Sequence, residues 1–221
     1  MEDILSQLKA GIRRFRTEVY PEQAEKFQTA ATTPQTPHAL IITCADSRID
    51  AESITSSGVG DVFITRNIGN LVPPYGEMLG GVSAVIEYAV SALKVKHIAI
   101  CGHTDCGAMK ALLNPAGMES MPTVKTWMRN AAAALSVADS LTTPEDTHES
   151  RLKKLTYENV LLQMQHLRTH PSVAGAMARE ELTISGWVYN IGTGEVRITE
   201  DGSRNFYPVT VEGDLSGDEK A

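Results

Sequence analysis

Hydrophobic and polar positions follow two patterns along the chain: long stretches with apolar residues every three or four positions, and short runs that are almost wholly apolar. The first pattern predicts helices and the second predicts buried strands. Helical spacing covers residues 3–31, where Pro21 is expected to break or restart the helix. Residues 80–90 begin a helix that should run to about residue 94, and they are so apolar that we expect it to be buried on most sides. Further helices are predicted at residues 49–57, 109–113, 122–140 and 150–170.

The apolar runs predict the strands of one sheet, and the last two of them should form a hairpin at its edge. These runs are residues 39–43, 61–65, 97–101, 182–189 and 194–199. We expect an α/β fold in which a short, mostly parallel sheet is flanked by helices. Residues 1–34 would form an N-terminal helical arm, residues 35–208 the main domain and residues 209–221 a disordered acidic tail.

Candidate metal ligands follow two of the predicted strands. His103 and Cys106 come after the run at 97–101, and Cys44 comes after the run at 39–43. If these strands are parallel neighbours, the three side chains converge at one edge of the sheet, where open α/β sheets place their ligands. Two thiolates and one imidazole suit zinc, and three protein ligands leave a fourth position open for chemistry.

Asp46 and Arg48 indicate how this predicted site could act on a zinc-bound water. A carboxylate two residues from Cys44 is close enough to accept a hydrogen bond from a zinc-bound water, and Arg48 can keep it ionised through a bidentate pair. Two thiolates leave zinc a weaker Lewis acid than three histidines do, so its water should be acidified less. We therefore expect activity to rise with pH.

Composition narrows the class of protein. A formal charge of −7 and a pI near 5.4 argue against sequence-independent nucleic-acid binding. No secretory signal and no apolar run of bilayer-spanning length is apparent, which favours a cytoplasmic protein that does not enter membranes. Three cysteines make a poor disulfide framework, and Cys101, inside a strand run, is expected to be a small buried hydrophobe.

Three motifs carry a resemblance to a known family: CADSR at 44–48, RNIGN at 66–70 and GHTDCGAM at 102–109. In order and spacing they resemble the β-class carbonic anhydrases, in particular the plant-type subgroup, and the likeness extends from about Gln35 to Val196. The resemblance implies zinc held by Cys44, His103 and Cys106, with Asp46 and Arg48 as the catalytic dyad. The implied reaction is the reversible hydration of CO2 to bicarbonate and a proton through attack of zinc-bound hydroxide.

The resemblance also implies a substrate pocket lined by Phe63, Ile68 and Tyr88, with Gln35 and the Gly107 N–H orienting CO2. By residue type alone, Gln35 would be a solvated loop amide, and Phe63 and Ile68 would be core residues. In the family such pockets lie at dimer interfaces, so a homodimer or homotetramer is expected. The N-terminal helix would then cross over a neighbouring subunit, whereas by itself it would pack on its own core.

Several alternatives remain at this point. The same scaffold could hydrolyse CS2 or COS, or could be an inactive zinc-binding sensor, although a purely structural site would not need Asp46 and Arg48. Asp46 could itself ligate zinc and close the site. A regulatory bicarbonate site is not expected, because Ile41 stands where the regulated subgroup has tryptophan, which leaves Arg66 a structural role. His148, His166 and His170 lack the spacing of a second metal site.

Overall fold

One sheet organises the fold in the computed structural model, which describes residues 3–77 and 80–210. Its strands are β1 (Ala39–Cys44), β2 (Val62–Asn67), β3 (His97–His103), β4 (Thr183–Tyr189), β5 (Val196–Glu200) and β6 (Tyr207–Pro208). In the order β2-β1-β3-β4-β5-β6, the first four strands are parallel and the last two are antiparallel. The predicted mostly parallel sheet is confirmed. The β4–β5 hairpin forms, but β6, which the sequence pattern does not indicate, lies outside it.

The helices occupy most of the predicted ranges. They are α1 (Ile4–Arg14), α2 (Tyr20–Glu22), α3 (Ala24–Thr32), α4 (Ala51–Thr55), α5 (Gly81–Glu87), α6 (Gly107–Leu113), α7 (Pro122–Trp127), α8 (Ala132–Ser140), α9 (His148–Arg168) and α10 (Pro171–Ala178). The single helix predicted at 122–140 is wrong, because a 3₁₀ turn separates α7 from α8. Here Asn130 Nδ2 donates to the Trp127 carbonyl, a side-chain bond that competes with the helical ladder.

The N-terminal arm, α1 to α3, restarts near Pro21 as predicted, and an aromatic cluster of Phe15, Tyr20 and Phe27 supports the bend. None of the side chains of α1 is buried within this chain. Ile4 and Leu8 remain 62% and 61% exposed, so the apolar face of α1 does not pack on its own core. None of the described helices combines the length and the hydropathy needed to span a bilayer.

Both faces of the parallel strands are covered, as the uninterrupted apolar runs require. Every residue of β1 is buried, with Leu40 and Ile42 in the large cluster that also includes α9 and α10, and with Ile41 on the opposite face. By contrast, α5 is buried on one face only: Ile86 is fully buried, whereas Tyr88 just beyond it is 49% exposed. The prediction that this helix is buried on most sides is therefore wrong for the isolated chain, since only the sheet-facing side has something to pack against.

The carboxyl ends of β1 and β3 are neighbours, because these strands pair in parallel with Thr43 opposite Cys101. Cys44 ends β1 and His103 ends β3, and the chain then turns into α6, with Cys106 at the N-cap position. The predicted acidic tail falls, from residue 211 onward, outside the described residues. Val209 is described, and its N–H donates to the Val196 carbonyl of β5.

Candidate metal centre

The structure brings the predicted zinc ligands together. The candidate ligand atoms of Cys44, His103 and Cys106 all lie within 4.8 Å of one another, and all three side chains are buried. Within residues 3–77 and 80–210, no other group of three His, Cys, Asp or Glu side chains is arranged in this way. Three converging ligands from two strand ends leave one side of a tetrahedral site open.

The orientation of His103 fits a metal. Its Nδ1 lies 2.9 Å from the Thr104 carbonyl oxygen, which makes Nδ1 the protonated nitrogen, while Nε2 is buried and has no hydrogen-bond partner. A buried nitrogen without a partner is costly unless it has a ligand role. This arrangement, with one ring nitrogen donating to a carbonyl and the other free, is typical of metal-bound histidine.

The two cysteine side chains interact directly. The neighbouring Cys106 thiol lowers the pKa of Cys44, burial opposes this shift, and the nearby His103 side chain and the backbone of Asp46 and Gly69 reinforce it. The same contact raises the pKa of Cys106. The pair therefore holds one thiolate readily, and zinc would displace the shared proton, since ligating cysteines are deprotonated. Burial raises the pKa of Cys101 to about 12, in keeping with an inert core thiol.

Asp46 and Arg48 form a bidentate ion pair beside these ligands. Arg48 donates from Nε to Asp46 Oδ1 at 2.9 Å and from its terminal nitrogen to Oδ2 at 2.7 Å. These bonds hold the pKa of Asp46 well below its usual range. Asp46 Oδ2 lies 3.9 Å from His103 Nε2, so the ionised carboxylate faces the metal-binding nitrogen.

Asp105 is a functional candidate that sequence reasoning missed. It accepts a hydrogen bond from Arg48 at 2.9 Å, so Arg48 is shared between two carboxylates, and Lys110 forms an ion pair with Asp105 from the other side. Its backbone has a positive φ of 60° in the turn between the ligands His103 and Cys106. A carboxylate between two predicted ligands was the available signal, but its pairing with Arg48 depends on a contact 57 residues apart in sequence.

The structural role expected for Arg66 agrees with its contacts. Arg66 donates from Nε to the Cys44 carbonyl at 3.0 Å and from its terminal nitrogen to the Asp46 carbonyl at 2.5 Å. It therefore holds the loop that carries both a metal ligand and Asp46. Two of the histidines that were not expected to bind a metal have other partners. His166 and His170 hydrogen-bond to the carbonyls of Val72 and Pro73, respectively.

The five predicted substrate residues fall into two groups. Ile68 follows β2 and Gly107 begins α6, both at the metal end of the sheet. Phe63 pairs with Leu40, four residues before Cys44, and is therefore about 13 Å away along the strand. The Tyr88 ring lies 6.1 Å from the Phe63 ring, and Gln35 is exposed in the loop before β1. Gln35, Phe63 and Tyr88 thus lie toward the opposite end of the sheet from this chain's own metal group.

Comparison with known proteins places these features in a family context. The sequence profile of the carbonic anhydrase family matches residues 39–196. A carbonic anhydrase of Pseudomonas aeruginosa is 41% identical over 206 residues, covering 93% of this chain and 90% of the relative. The solved structure of the β-carbonic anhydrase CcaA is similar with a TM-score of 0.88 at 33% identity, covering 96% of this chain and 94% of that one. Tetrameric β-carbonic anhydrases from Sordaria macrospora are similar with a TM-score of 0.78 at 29% identity, covering 91% and 98%.

Proposed function

This chain belongs to the β-carbonic anhydrases, and from that premise we propose how its own residues carry out the hydration of CO2. The protein is a zinc-dependent carbonic anhydrase that interconverts CO2 with bicarbonate and a proton. The observation that supports the residue roles is the buried group of Cys44, His103 and Cys106 beside ionised Asp46. Neither CS2 or COS hydrolysis nor a sensor role gains support, since the relatives are named carbonic anhydrases.

Zinc, when bound by Cys44, His103 and Cys106, would lower the pKa of a water molecule and so supply a nucleophile at moderate pH. Asp46 stays ionised and can only accept hydrogen bonds, so it orients an O–H group of the attacking water. Because Arg48 occupies both carboxylate oxygens of Asp46, the carboxylate cannot rotate freely. The dyad thus aims a fixed acceptor at the position where the nucleophile forms.

Residues at the metal end of the sheet, on the open side of the site, would orient the substrate. Gly107 is exposed at the start of α6, where the first N–H groups of a helix have no partner within the helix. Its N–H can donate to an oxygen of CO2 or bicarbonate. The Ile68 side chain is 42% exposed and can form part of an apolar wall for a nonpolar substrate.

We propose that a second copy of the chain completes this wall. Gln35, Phe63 and Tyr88 lie toward the far end of the sheet from their own metal group, so they can serve only the site of a neighbouring subunit. The unburied apolar face of α1 provides a surface for that neighbour. A homodimer is then the smallest functional unit, and the tetrameric Sordaria relatives are consistent with pairing of such dimers.

Subunit mixing tests the shared site. Asp46→Ala removes the dyad, and the double variant Gln35→Ala, Tyr88→Ala removes the contribution to the neighbour. Each protein alone should be nearly inactive, but an equimolar mixture exchanged under mild denaturant should recover about a quarter of wild-type activity, because half of the dimers then contain one intact site. No recovery despite demonstrated exchange would show that each chain uses its own residues.

The activity itself is tested by stopped-flow CO2 hydration on the zinc-loaded protein between about pH 6.5 and 9, beside Asp46→Ala. We expect a rate that rises with pH and falls by roughly 10² in the variant, which is the usual size for a proton-handling group. We also propose a cytoplasmic location, because thiolate ligands persist best in a reducing compartment. No hydration at full zinc occupancy would contradict the residue roles proposed above.

A further inference from the structure

Residue 105 gives the Arg48 guanidinium a second anchor. Asp105 Oδ2 accepts a hydrogen bond from Arg48 Nη1 at 2.9 Å, and the Asp105 carbonyl accepts one from Arg48 Nη2 at 3.3 Å. On its other side, the guanidinium donates to both carboxylate oxygens of Asp46. The planar group of Arg48 therefore lies between Asp46 and Asp105, and a rotation of that plane breaks bonds to both residues.

Neighbouring contacts fix Asp105 in turn. Lys110, on the first turn of α6, forms an ion pair with Asp105 Oδ1 and leaves Oδ2 to Arg48. The preceding residue is tied to the end of β4, because the Thr104 N–H donates to the Tyr189 carbonyl at 2.9 Å and Thr104 Oγ1 accepts the Ile191 N–H at 3.1 Å. The second anchor of Arg48 is thus part of a turn that is itself held at both ends.

Charges alternate in sign along this group of side chains. Asp46 pairs with Arg48, Arg48 pairs with Asp105, and Asp105 pairs with Lys110. Two carboxylates and two cations leave no net formal charge. A second carboxylate alone would repel an anionic product such as bicarbonate, and Lys110 offsets that repulsion. Arg48 therefore gains a further partner without added negative charge beside the metal group.

Solvent exposure explains why a second anchor matters. The Arg48 side chain is 44% exposed and that of Asp46 is 15% exposed. An ion pair open to solvent contributes little by itself to holding two side chains in one geometry. Asp105 belongs to the turn between the ligands His103 and Cys106, so it ties Arg48, and through Arg48 the Asp46 carboxylate, to the segment that carries those ligands.

We propose that Asp105 is a positioning residue, which through Arg48 keeps the Asp46 carboxylate aligned with the metal ligands. The inference rests on the proposed function, because it takes Asp46 as the group that orients the attacking water. Loss of the Asp105 side chain should slow hydration by about tenfold. This loss is smaller than the one expected on changing Arg48, since both bonds between Arg48 and Asp46 can still form.

Glycine is the suitable replacement, and the chain offers a matched control. Asp105 has a φ of 60°, a conformation that glycine adopts without strain, so Asp105→Gly removes the carboxylate and keeps the turn. Glu180 has a φ of 58° and is exposed just before β4, at the opposite end of the sheet from the metal group. Glu180→Gly therefore makes the same change of residue type and conformation where no effect on hydration is expected.

A double-mutant cycle tests whether Asp105 acts through Arg48. Stopped-flow CO2 hydration, with rates expressed per bound zinc, compares wild type, Glu180→Gly, Asp105→Gly, Arg48→Ala and the Arg48→Ala, Asp105→Gly double variant. The kcat should fall about tenfold in Asp105→Gly and about 10²-fold in Arg48→Ala, and the double variant should lie within about threefold of Arg48→Ala. Multiplied losses of about 10³ would overturn the proposal, as would an Asp105→Gly rate per zinc within about twofold of wild type.

The Arg48 side chain supplies a readout that does not depend on the reaction. Nitrogen NMR measures how fast the guanidinium turns about its Cζ–Nε bond, and the Arg48 signal is identified by its loss in Arg48→Ala. This rotation should be about fivefold faster in Asp105→Gly, the effect of one charged hydrogen bond screened by solvent, and unchanged in Glu180→Gly. An unchanged rotation in Asp105→Gly would overturn the proposal. If the wild-type protein binds zinc but does not hydrate CO2, the proposed function is wrong, while the rotation rates still decide whether Asp105 holds Arg48.

Discussion

Replacing Arg48 with lysine should slow CO2 hydration by about 10², even though the positive charge remains. Arg48 makes two bonds to Asp46 and one to Asp105, and these bonds need the planar fork of the guanidinium. An ammonium group can satisfy one of the two carboxylates but not both oxygens of Asp46. The Asp46 carboxylate would then rotate relative to the metal ligands.

The expected 10² loss of rate is assigned to the orientation of Asp46, because protonation of Asp46 is excluded as its cause. Arg48 holds the pKa of Asp46 below the ordinary value of 3.8. Even if the pKa returned to that ordinary value, only about one carboxyl in a thousand would be protonated at pH 7. Lysine keeps the positive charge, and Arg48 is 44% exposed, so any change in charge attraction is small and screened by solvent. What remains is orientation, where a displacement of about 1 Å can cost 10²-fold in rate.

Stopped-flow hydration across pH 6.5 to 9 measures the effect on kcat/KM, with Arg151→Lys as a control that alters a remote surface pair with Asp139. We expect a reduced rate with an unshifted pH profile for Arg48→Lys and a normal rate for the control. A rate within about threefold of wild type would refute the need for guanidinium geometry. A loss that disappears at high pH would instead assign the effect to protonation.

Three further predictions concern stability and the thiols. Gly186→Ala should lower the free energy of unfolding in urea by about 1–3 kcal/mol, because its Cβ would lie 2.6 Å from a methyl group of Val160. Gly117→Ala, whose Cβ would meet open space, should change stability little. Equal losses in the two variants would contradict this prediction. Stability should be greatest above about pH 6.5 and fall as the pH drops through that value, since burial lowers the pKa of three folded-state histidines and the unfolded chain then binds more protons. These are His97, His166 and His170. A urea midpoint unchanged down to pH 5 would be inconsistent with it. Chelating zinc should make the two cysteine ligands reactive toward a disulfide reagent while Cys101 reacts only after denaturation; a native zinc-free protein in which all three thiols react would disprove this.

Much of the fold was predictable because local spacing and burial leave a direct pattern in the chain. Uninterrupted apolar runs correspond to strands covered on both faces, and β1 is buried along its whole length. The pattern failed where a side chain competes with the backbone, as Asn130 does between α7 and α8. It also missed β6, a two-residue strand too short to show any alternation.

The candidate site likewise has a part that could be predicted from the sequence and a part that could not. Cys44, His103 and Cys106 could be chosen from sequence because their residue types suit zinc and parallel neighbouring strands end at one edge. The sequence could not show that the predicted substrate residues lie at two opposite ends of the sheet, because this placement depends on strand register. Whether a residue serves its own site or a neighbour's is decided by that register.

By itself, the sequence determined the α/β alternation, the ligand set and the adjacent Asp46 and Arg48, since each depends on residue type and short spacing. Only the tertiary structure decided that Arg48 is shared with Asp105 and that the Trp127 indole donates to the Ile68 carbonyl. These contacts join residues 57 and 59 positions apart. Side chains so far apart in sequence meet only through the packing of whole elements, which leaves no periodic signal in the chain.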